Sequence, residues 1–403
     1  MPATQPSVED RALLASIVGT TASVMPAFLT GAVAVQLAAD IGLDDRALGL
    51  CIGGYFTSAA LGSAVLGRAA ERLGGVTAMR AGLTMTAVLG VALAVLVRST
   101  ATLGLLLLVA GTSNALTQPA ANLLLVERIP ASRMGFAFAL KQAGMPMASM
   151  IGGALVPAVA VTVGWRWAYL IAAVVACGAL LALPGRAAAT VARTDGELNV
   201  TPAPGAARRP DLPLPLLLSY SAVGALGAAA AGTLTSFLVR AAEAAGVAEG
   251  PAGLLLTLGS ALGIASRLVH GRLADGPRLL PIRRVILLLA MGAAGLMVFA
   301  VDRPITYLLG LAPVFAAGWA WPGLFNLAVV LANPASPAAA TGVTQTGTYL
   351  GAVLGPLLFG LVAEHLSFAW SWSLAALTSW LAAGAIWTGR AMLRRNGRAT
   401  APA

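Results

Sequence analysis

The sequence predicts an all-α integral membrane protein, with twelve transmembrane helices in two pseudo-symmetric six-helix bundles. Three observations lead there. Hydrophobic residues make up 58% of the chain and charged residues only 10%, with a mean hydropathy of +0.86; a soluble domain carries roughly 25% charged residues. Apolar runs near the ~20 residues that a bilayer crossing requires recur along the whole length. The second half of the chain also repeats the first.

The first six runs lie at 12–38, 46–66, 77–97, 101–126, 135–162 and 166–184. The other six lie at 213–239, 251–273, 284–301, 305–331, 339–362 and 370–389. Charged residues or Pro/Gly breaks separate them. Span 1 is too long for a signal-peptide core and is expected to stay as an anchor. The stretch between Pro184 and Pro213 is polar and holds Arg208, Arg209, Pro210 and Asp211. It reads as a cytoplasmic linker, giving an N-terminal bundle at 1–184, a linker at 185–212 and a C-terminal bundle at 213–403.

The repeat is visible at three places. Gly67 and Glu71 return as Gly271 and Asp275, a shift of 204. Asn122 and Pro130 return as Asn326 and Pro334, again shifted by 204. Gly135, Gly144 and Gly153 return as Gly342, Gly351 and Gly360, shifted by 207. A shift near half the length, found three times over, indicates a duplicated six-span unit.

Charge fixes the expected orientation. With the N-terminus inside, eighteen arginines fall in the cytoplasmic segments, against Arg46, Arg98, Arg166, Arg240 and Arg303 outside. That is the positive-inside bias, so both termini are expected in the cytoplasm and the chain in the inner or plasma membrane. The same bias accounts for the net charge of +10 without a nucleic-acid partner. Cys51 and Cys177 lie in apolar spans and suggest no disulfide. His270 and His365 sit at span edges without metal-ligand spacing, and no Gly-rich phosphate loop ends in Gly-Lys-Ser/Thr. Catalysis, metal binding, cofactors and ATP-driven transport have no support here.

Two cations lie in span cores, away from the span ends: Lys141, the only lysine of the chain, and Arg267. Every acidic residue lies in a loop, a tail or a span end. A cation at bilayer depth costs ~2.5–3.5 kcal/mol on insertion scales. Lys141 follows Arg133 by eight residues and Arg267 precedes Asp275 by eight, which puts both roughly 12 Å into the membrane. Such cations suit a water-filled chamber that receives a negatively charged ligand, and guanidinium offers a carboxylate a bidentate grip. The plainer readings are that Arg267 snorkels to the headgroups and that Gln142 or Asn122 holds Lys141 structurally. Asn114, Gln118 and Asn122 recur every four residues on one helical face, as ligand contacts or as interhelical glue. Trp319, Trp321 and Asn326 surround Pro322, as an aromatic wall or as packing. Tyr220, Gln345 and Tyr349 are further polar candidates.

These residues resemble the major facilitator superfamily, over nearly the whole chain. Gly67, Glu71, Arg72 and Gly74 match its loop between spans 2 and 3, although Val76 and Thr77 stand where basic residues are usual. Gly164-Trp165-Arg166-Trp167 after span 5 is similar to the superfamily as well. The resemblance implies bundles around a central cavity lined by spans 1, 4, 7 and 10, and alternating access to it. It implies a gating role for Gly67, Glu71, Arg72, Gly271 and Asp275. Arg267 before Gly271 also resembles span 8 of monocarboxylate- and oxalate-transporter branches, where an arginine binds the substrate anion. Gly342, Gly351, Gly355-Pro356 and Gly360 resemble the antiporter motif, here in span 11, whereas Ala148-Ser149 replaces Gly-Pro in span 5 and Leu107 stands near the usual span-4 arginine.

The expected function is secondary transport of a small organic anion, a carboxylate, with a coupling proton as possible cosubstrate, by a monomer in the lipid bilayer. Arg267, Lys141, Asn114, Gln118, Asn122, Trp321, Asn326 and Tyr349 are its candidate substrate contacts. The alternative is efflux of drugs or metabolites by an antiporter of the same superfamily.

Overall fold

The computed structural model describes residues 8–185, 212–274, 281–333 and 337–399. They form helices α1 (Val8–Ala32), α2 (Ala34–Ile41), α3 (Asp45–Leu73), α4 (Gly75–Leu96), α5 (Thr100–Arg128), α6 (Ala131–Gln142), α7 (Gly144–Leu155) and α8 (Trp165–Ala182). There follow α9 (Leu214–Ala244), α10 (Glu249–Ala274), α11 (Pro281–Phe299), α12 (Pro304–Leu309), α13 (Trp321–Leu331), α14 (Pro337–His365) and α15 (Phe368–Ala399). No strand occurs among the described residues. Each of the twelve expected spans coincides with one helix or with an interrupted series. Among the described residues nine helices are long and apolar enough to cross a bilayer, and α3, bent by 56°, supplies a tenth. Span 10 has no single long helix, and α15 is diluted by Trp370, Ser371, Trp372 and Ser373.

Interruptions are the main departure from twelve plain spans. Span 5 breaks between α6 and α7, where the Ala143 amide turns back to the Leu140 carbonyl at 3.1 Å and Pro146 offers no N–H to the Gln142 carbonyl. Span 5 then widens into a π turn at Val156–Ala160, around Pro157. Span 10 runs from α12 into a π turn at Pro313–Gly318 and a further turn before α13. Prolines account for these breaks in spans 5 and 10, because a missing N–H leaves a carbonyl to be satisfied elsewhere, whereas the α1–α2 break at Val33 has no proline beside it.

By contact the chain divides into two compact units. Unit 1 comprises Met1–Asn199 and Thr235–Leu258, and unit 2 comprises Val200–Leu234 and Gly259–Ala403. The sequence repeat instead assigns all of spans 7 and 8 to the C-terminal half. Residues 186–211, most of the expected linker, lie outside the described residues.

Unit 1 packs on small side chains: Ala12, Ala15, Ala22, Ala120 and Ala176 lie fully buried beside Leu83 and Leu124. Between helices in lipid there is little hydrophobic gain, so close van der Waals contact must supply the association. The Trp165-Arg166 pair shows what its motif does. Trp165 Nε1 donates to Asp40 Oδ2 at 3.0 Å and Arg166 Nη1 to the same oxygen at 2.7 Å, while Arg166 Nη2 reaches the Val97 carbonyl at 3.2 Å. One motif thus ties the ends of α2, α4 and α8. Residues 235–258 are held within this unit by Arg240, which donates to Asp45 at 3.2 Å and Glu243 at 3.0 Å, and by Gln36, which donates to Glu249 at 2.8 Å.

Unit 2 has an aromatic core. Phe299 stacks on Tyr307 at 5.0 Å, Trp372 donates to the Tyr307 hydroxyl at 3.1 Å, and that hydroxyl donates to Asp302 at 3.0 Å. Elsewhere in the unit α9 and α14 touch backbone to backbone: Gly347, Gly351 and Gly355 face the carbonyls of Ser221, Ala225 and Ala229. The antiporter-like glycines 351 and 355 therefore belong to a ladder spaced by four residues. On α15, Trp370 and Trp387 are exposed at 63% and 69%, and their spacing of roughly 25 Å matches two interfacial aromatic belts.

Gly351→Ala is expected to push α9 from α14, at a cost of ~1–3 kcal/mol, whereas Gly384→Ala, where a Cβ meets open space, should be silent; thermal unfolding in detergent compares them. Asp40 is held below its ordinary value of 3.8, first by the Arg166 hydrogen bond and then by that from Trp165. A depressed carboxylate stabilises the fold fully above its unfolded value and loses that contribution as pH falls through the folded one. The unfolding temperature should therefore decline below about pH 4 by less in Asp40→Asn than in the wild type, a small effect because the pair is partly exposed.

Candidate functional site

In unit 1 the polar centre is Lys141. It lies in the last turn of α6, where the helix dipole favours a cation, and it is 3% exposed. Nζ donates to Gln118 Oε1 at 2.7 Å, and no carboxylate bonds it among the described residues. From Gln118 the chain of contacts continues inward. Its Nε2 donates to Ser23 Oγ at 3.4 Å, and the single hydrogen of that hydroxyl is shared between the Thr20 carbonyl at 3.0 Å and Asn114 Oδ1 at 3.1 Å. Oxygens thus face inward along this chain and donors are left over at its ends: the remaining Nζ hydrogens of Lys141 and the Nδ2 of buried Asn114. Thr20 Oγ1, one turn before Ser23, is also buried with no described partner. A donor-rich, acid-free cluster lacks acceptors, which is what an anionic oxygen supplies.

The structure separates the amide face expected from the sequence. Asn114 and Gln118 join Lys141; Asn122 is exposed and bonds no described residue. Gln142 is exposed too, so the residue holding Lys141 is Gln118 rather than Gln142 or Asn122.

In unit 2 Arg267 is half-buried on α10. Nε and Nη2 both donate to the Trp319 carbonyl, at 3.0 and 2.7 Å, and the guanidinium carbon lies 5.3 Å from the Trp319 ring centroid. The preceding residue, Ser266, donates through Oγ to the Ala316 carbonyl. Two neighbouring side chains of α10 thereby occupy carbonyls that the span-10 interruption leaves over. His270 turns its Nδ1 back to the Ser266 carbonyl at 2.8 Å.

Trp321 lies in the core, 1% exposed. It is packed against Phe325 at 5.5 Å and over Gly227, and its indole N–H is buried without a described partner. Asn326 and Tyr349 are half-buried. At the expected gate, Glu71 and Arg72 are both exposed and bond no described residue. The acid that meets this loop is Glu127, whose Oε1 accepts from the Gly75 amide at 3.0 Å. Gly67 faces Pro119 with room for a Cβ at ordinary van der Waals distance, Gly271 lies in the last turn of α10, and Asp275 is outside the described residues. Ser23, Thr20, Ser266 and Glu127 are additions that the sequence reading lacks. For Ser266 a signal exists: Gly259, Gly263, Ser266 and Arg267 share one helical face.

A sequence model of the Major Facilitator Superfamily matches residues 14–345. No curated protein matches the sequence. Among solved structures, the fold is similar to a bacterial homolog of the human lysosomal transporter Spinster, inward-facing and occupied, at 16% identity over 96% of this chain and 98% of that one, TM-score 0.73. It is similar to the inward-open xylose transporter XylE from E. coli at 13% identity over 94% and 96%, TM-score 0.75. A mutant of the nucleoside transporter NupG shares 13% identity over 95% of this chain and 100% of that one, TM-score 0.70. At such identities the likeness is one of fold.

Lys141→Met is expected to keep or raise the unfolding temperature, since replacing a buried charge by an apolar side chain of similar volume is often neutral or stabilising. Gln118→Leu should lower stability by roughly 2–3 kcal/mol, because it strips the buried ammonium of its acceptor. Thermal unfolding separates the two, and a fall in Lys141→Met would mark the lysine as a structural tether.

Proposed function

Given that the chain belongs to the Major Facilitator Superfamily, and is thus a multi-pass membrane transporter rather than an enzyme, we propose that its cargo is a small organic anion, a carboxylate, moved by alternating access. The observation that carries this reading is Lys141. Its buried ammonium has one neutral acceptor 2.7 Å away and sits in a cluster with surplus donors. Arg267, with hydrogens left over beyond Trp319, supports the same charge preference within unit 2. Asn114 and Gln118 are the amide contacts this reading favours. The roles of Asn122, Trp321, Asn326 and Tyr349 as substrate contacts, and of Gly67, Glu71, Arg72, Gly271 and Asp275 in gating, belong to the proposal on sequence grounds.

The arginine bias supports cytoplasmic termini and an inner or plasma membrane location, and the repeat supports two six-span halves acting as a monomer. A proton accompanies the anion as cosubstrate, because the sequence holds no span-centre carboxylate to relay one. Efflux of drugs or metabolites is the second reading, and the tight glycine ladder that includes the antiporter-like residues 351 and 355 favours it.

Uptake of labelled lactate, oxalate and succinate into proteoliposomes tests the proposal. Losing a charge-assisted hydrogen bond is worth about 1.5–3 kcal/mol, so Lys141→Met should weaken transport of the preferred acid roughly 10- to 100-fold. Carboxylate transport unchanged in both Lys141→Met and Arg267→Ala would refute the anion reading; equal export of neutral compounds by those variants would support efflux.

A further inference from the structure

The Trp319 carbonyl is the point where the interruption of span 10 meets the cation of span 8. In a continuous α-helix the Gly318 carbonyl would take the amide of residue 322, and the Trp319 carbonyl that of Gly323. Residue 322 is proline and has no N–H. With α13 beginning at Trp321, both carbonyls fall outside the helical ladder, and the Ala320 amide turns to Ala317 at 3.1 Å instead, leaving the Ala316 carbonyl to Ser266.

One face of α10 is built to meet this break. Gly259 and Gly263 are bare, so the rings of Phe315 and Trp319 lie directly on the helix. Ser266 and Arg267, one turn further along, bring the donors that occupy the Ala316 and Trp319 carbonyls. Arg267 meets its carbonyl side-on: Nε and Nη2 share one oxygen, and the guanidinium carbon lies over the Trp319 ring, 5.3 Å from its centroid. That uses one edge of the fork. The opposite edge, Nη1 with the second Nη2 hydrogen, bonds no described residue.

We propose that the Pro322 interruption of span 10 is a positioning device for Arg267: the freed Trp319 carbonyl grips one edge of the guanidinium so that the other is presented, fixed in plane, to a carboxylate. The inference rests on the reading of the cargo as a carboxylate and adds its recognition geometry. Arginine is required because only a planar fork has two donor edges; an ammonium on the same stem keeps the charge and loses the arrangement. Trp319 and Pro322 act through Arg267 and are positioning residues.

The test compares binding of lactate, oxalate and succinate with binding of the matching amides, by calorimetry on the purified full-length protein. The ratio within each pair reports recognition of the carboxylate and is insensitive to a uniform loss of folded protein. Wild type should prefer at least one acid by tenfold or more. In Pro322→Ala, amide hydrogen exchange over residues 316–324 should slow at least tenfold as the helix closes, and the preference should drop about tenfold with no fall in unfolding temperature. Arg267→Lys should lose the preference as well. An intact preference in Pro322→Ala, or exchange there that does not slow, overturns the positioning role alone. A wild type with no preference in any pair removes the carboxylate reading itself, and this inference with it.

Discussion

A cation inside a membrane span with no acid to oppose it must be solvated by neutral oxygen, and both intramembrane cations of this chain meet that condition at a broken helix. Lys141 sits where α6 stops, with Gln118 Oε1 at 2.7 Å. Arg267 reaches across to a carbonyl that span 10 leaves unused, at 2.7 and 3.0 Å. A fully wound helix has no spare carbonyl to give, since each is taken by the amide four residues on. The prolines at 146, 313 and 322 therefore do more than bend the chain. In span 10 they expose backbone oxygens at depths where water is scarce, and Arg267 is held by one of them, whereas Lys141 relies on the side-chain amide of Gln118. Neutral oxygens screen such a charge only in part, which leaves it able to attract an anion.

The two units solve the packing problem differently. Unit 1 relies on alanine, with Trp165 and Arg166 fastening several helix ends to one carboxylate. Unit 2 relies on rings around Trp372 and on the ladder of Gly347, Gly351 and Gly355 against α9. Both follow from the weak driving force for helix association in lipid. Small residues permit approach, and the buried polar contacts, such as Tyr307 with Asp302, set the register.

The twelve spans are legible in the sequence because lipid imposes a length and a polarity that few other folds share, and the duplication is legible because it preserves Gly, Asn and Pro at fixed offsets. Lys141 and Gln118 are legible as candidates because polar atoms are rare at that depth. Their partnership is not: Asn114, Gln118 and Asn122 share a face, yet only contact geometry tells that Gln118 holds Lys141 directly and Asn114 joins through Ser23, while Asn122 is exposed. Arg267 is visible as an unopposed charge, but a carbonyl oxygen leaves no trace in the residue alphabet. Pro322 carries that information only once its missing N–H is followed to the backbone that loses a donor. Hydropathy averages over such breaks, so spans 5 and 10 read as continuous. Glu127, at a span end, gives no hint that it closes on Gly75 while Glu71 stays exposed.

The shared carboxylate of Asp40 has one more consequence. Trp165 and Arg166 both end on it, and Arg166 also grips Val97, so the tips of three helices are joined into a single collar. A bend within unit 1 that spares these contacts would fall at the seam at Ala143, where the amide turns back to Leu140. The lysine stands two residues from that seam, so flexing there would re-aim its ammonium while the collar kept its shape.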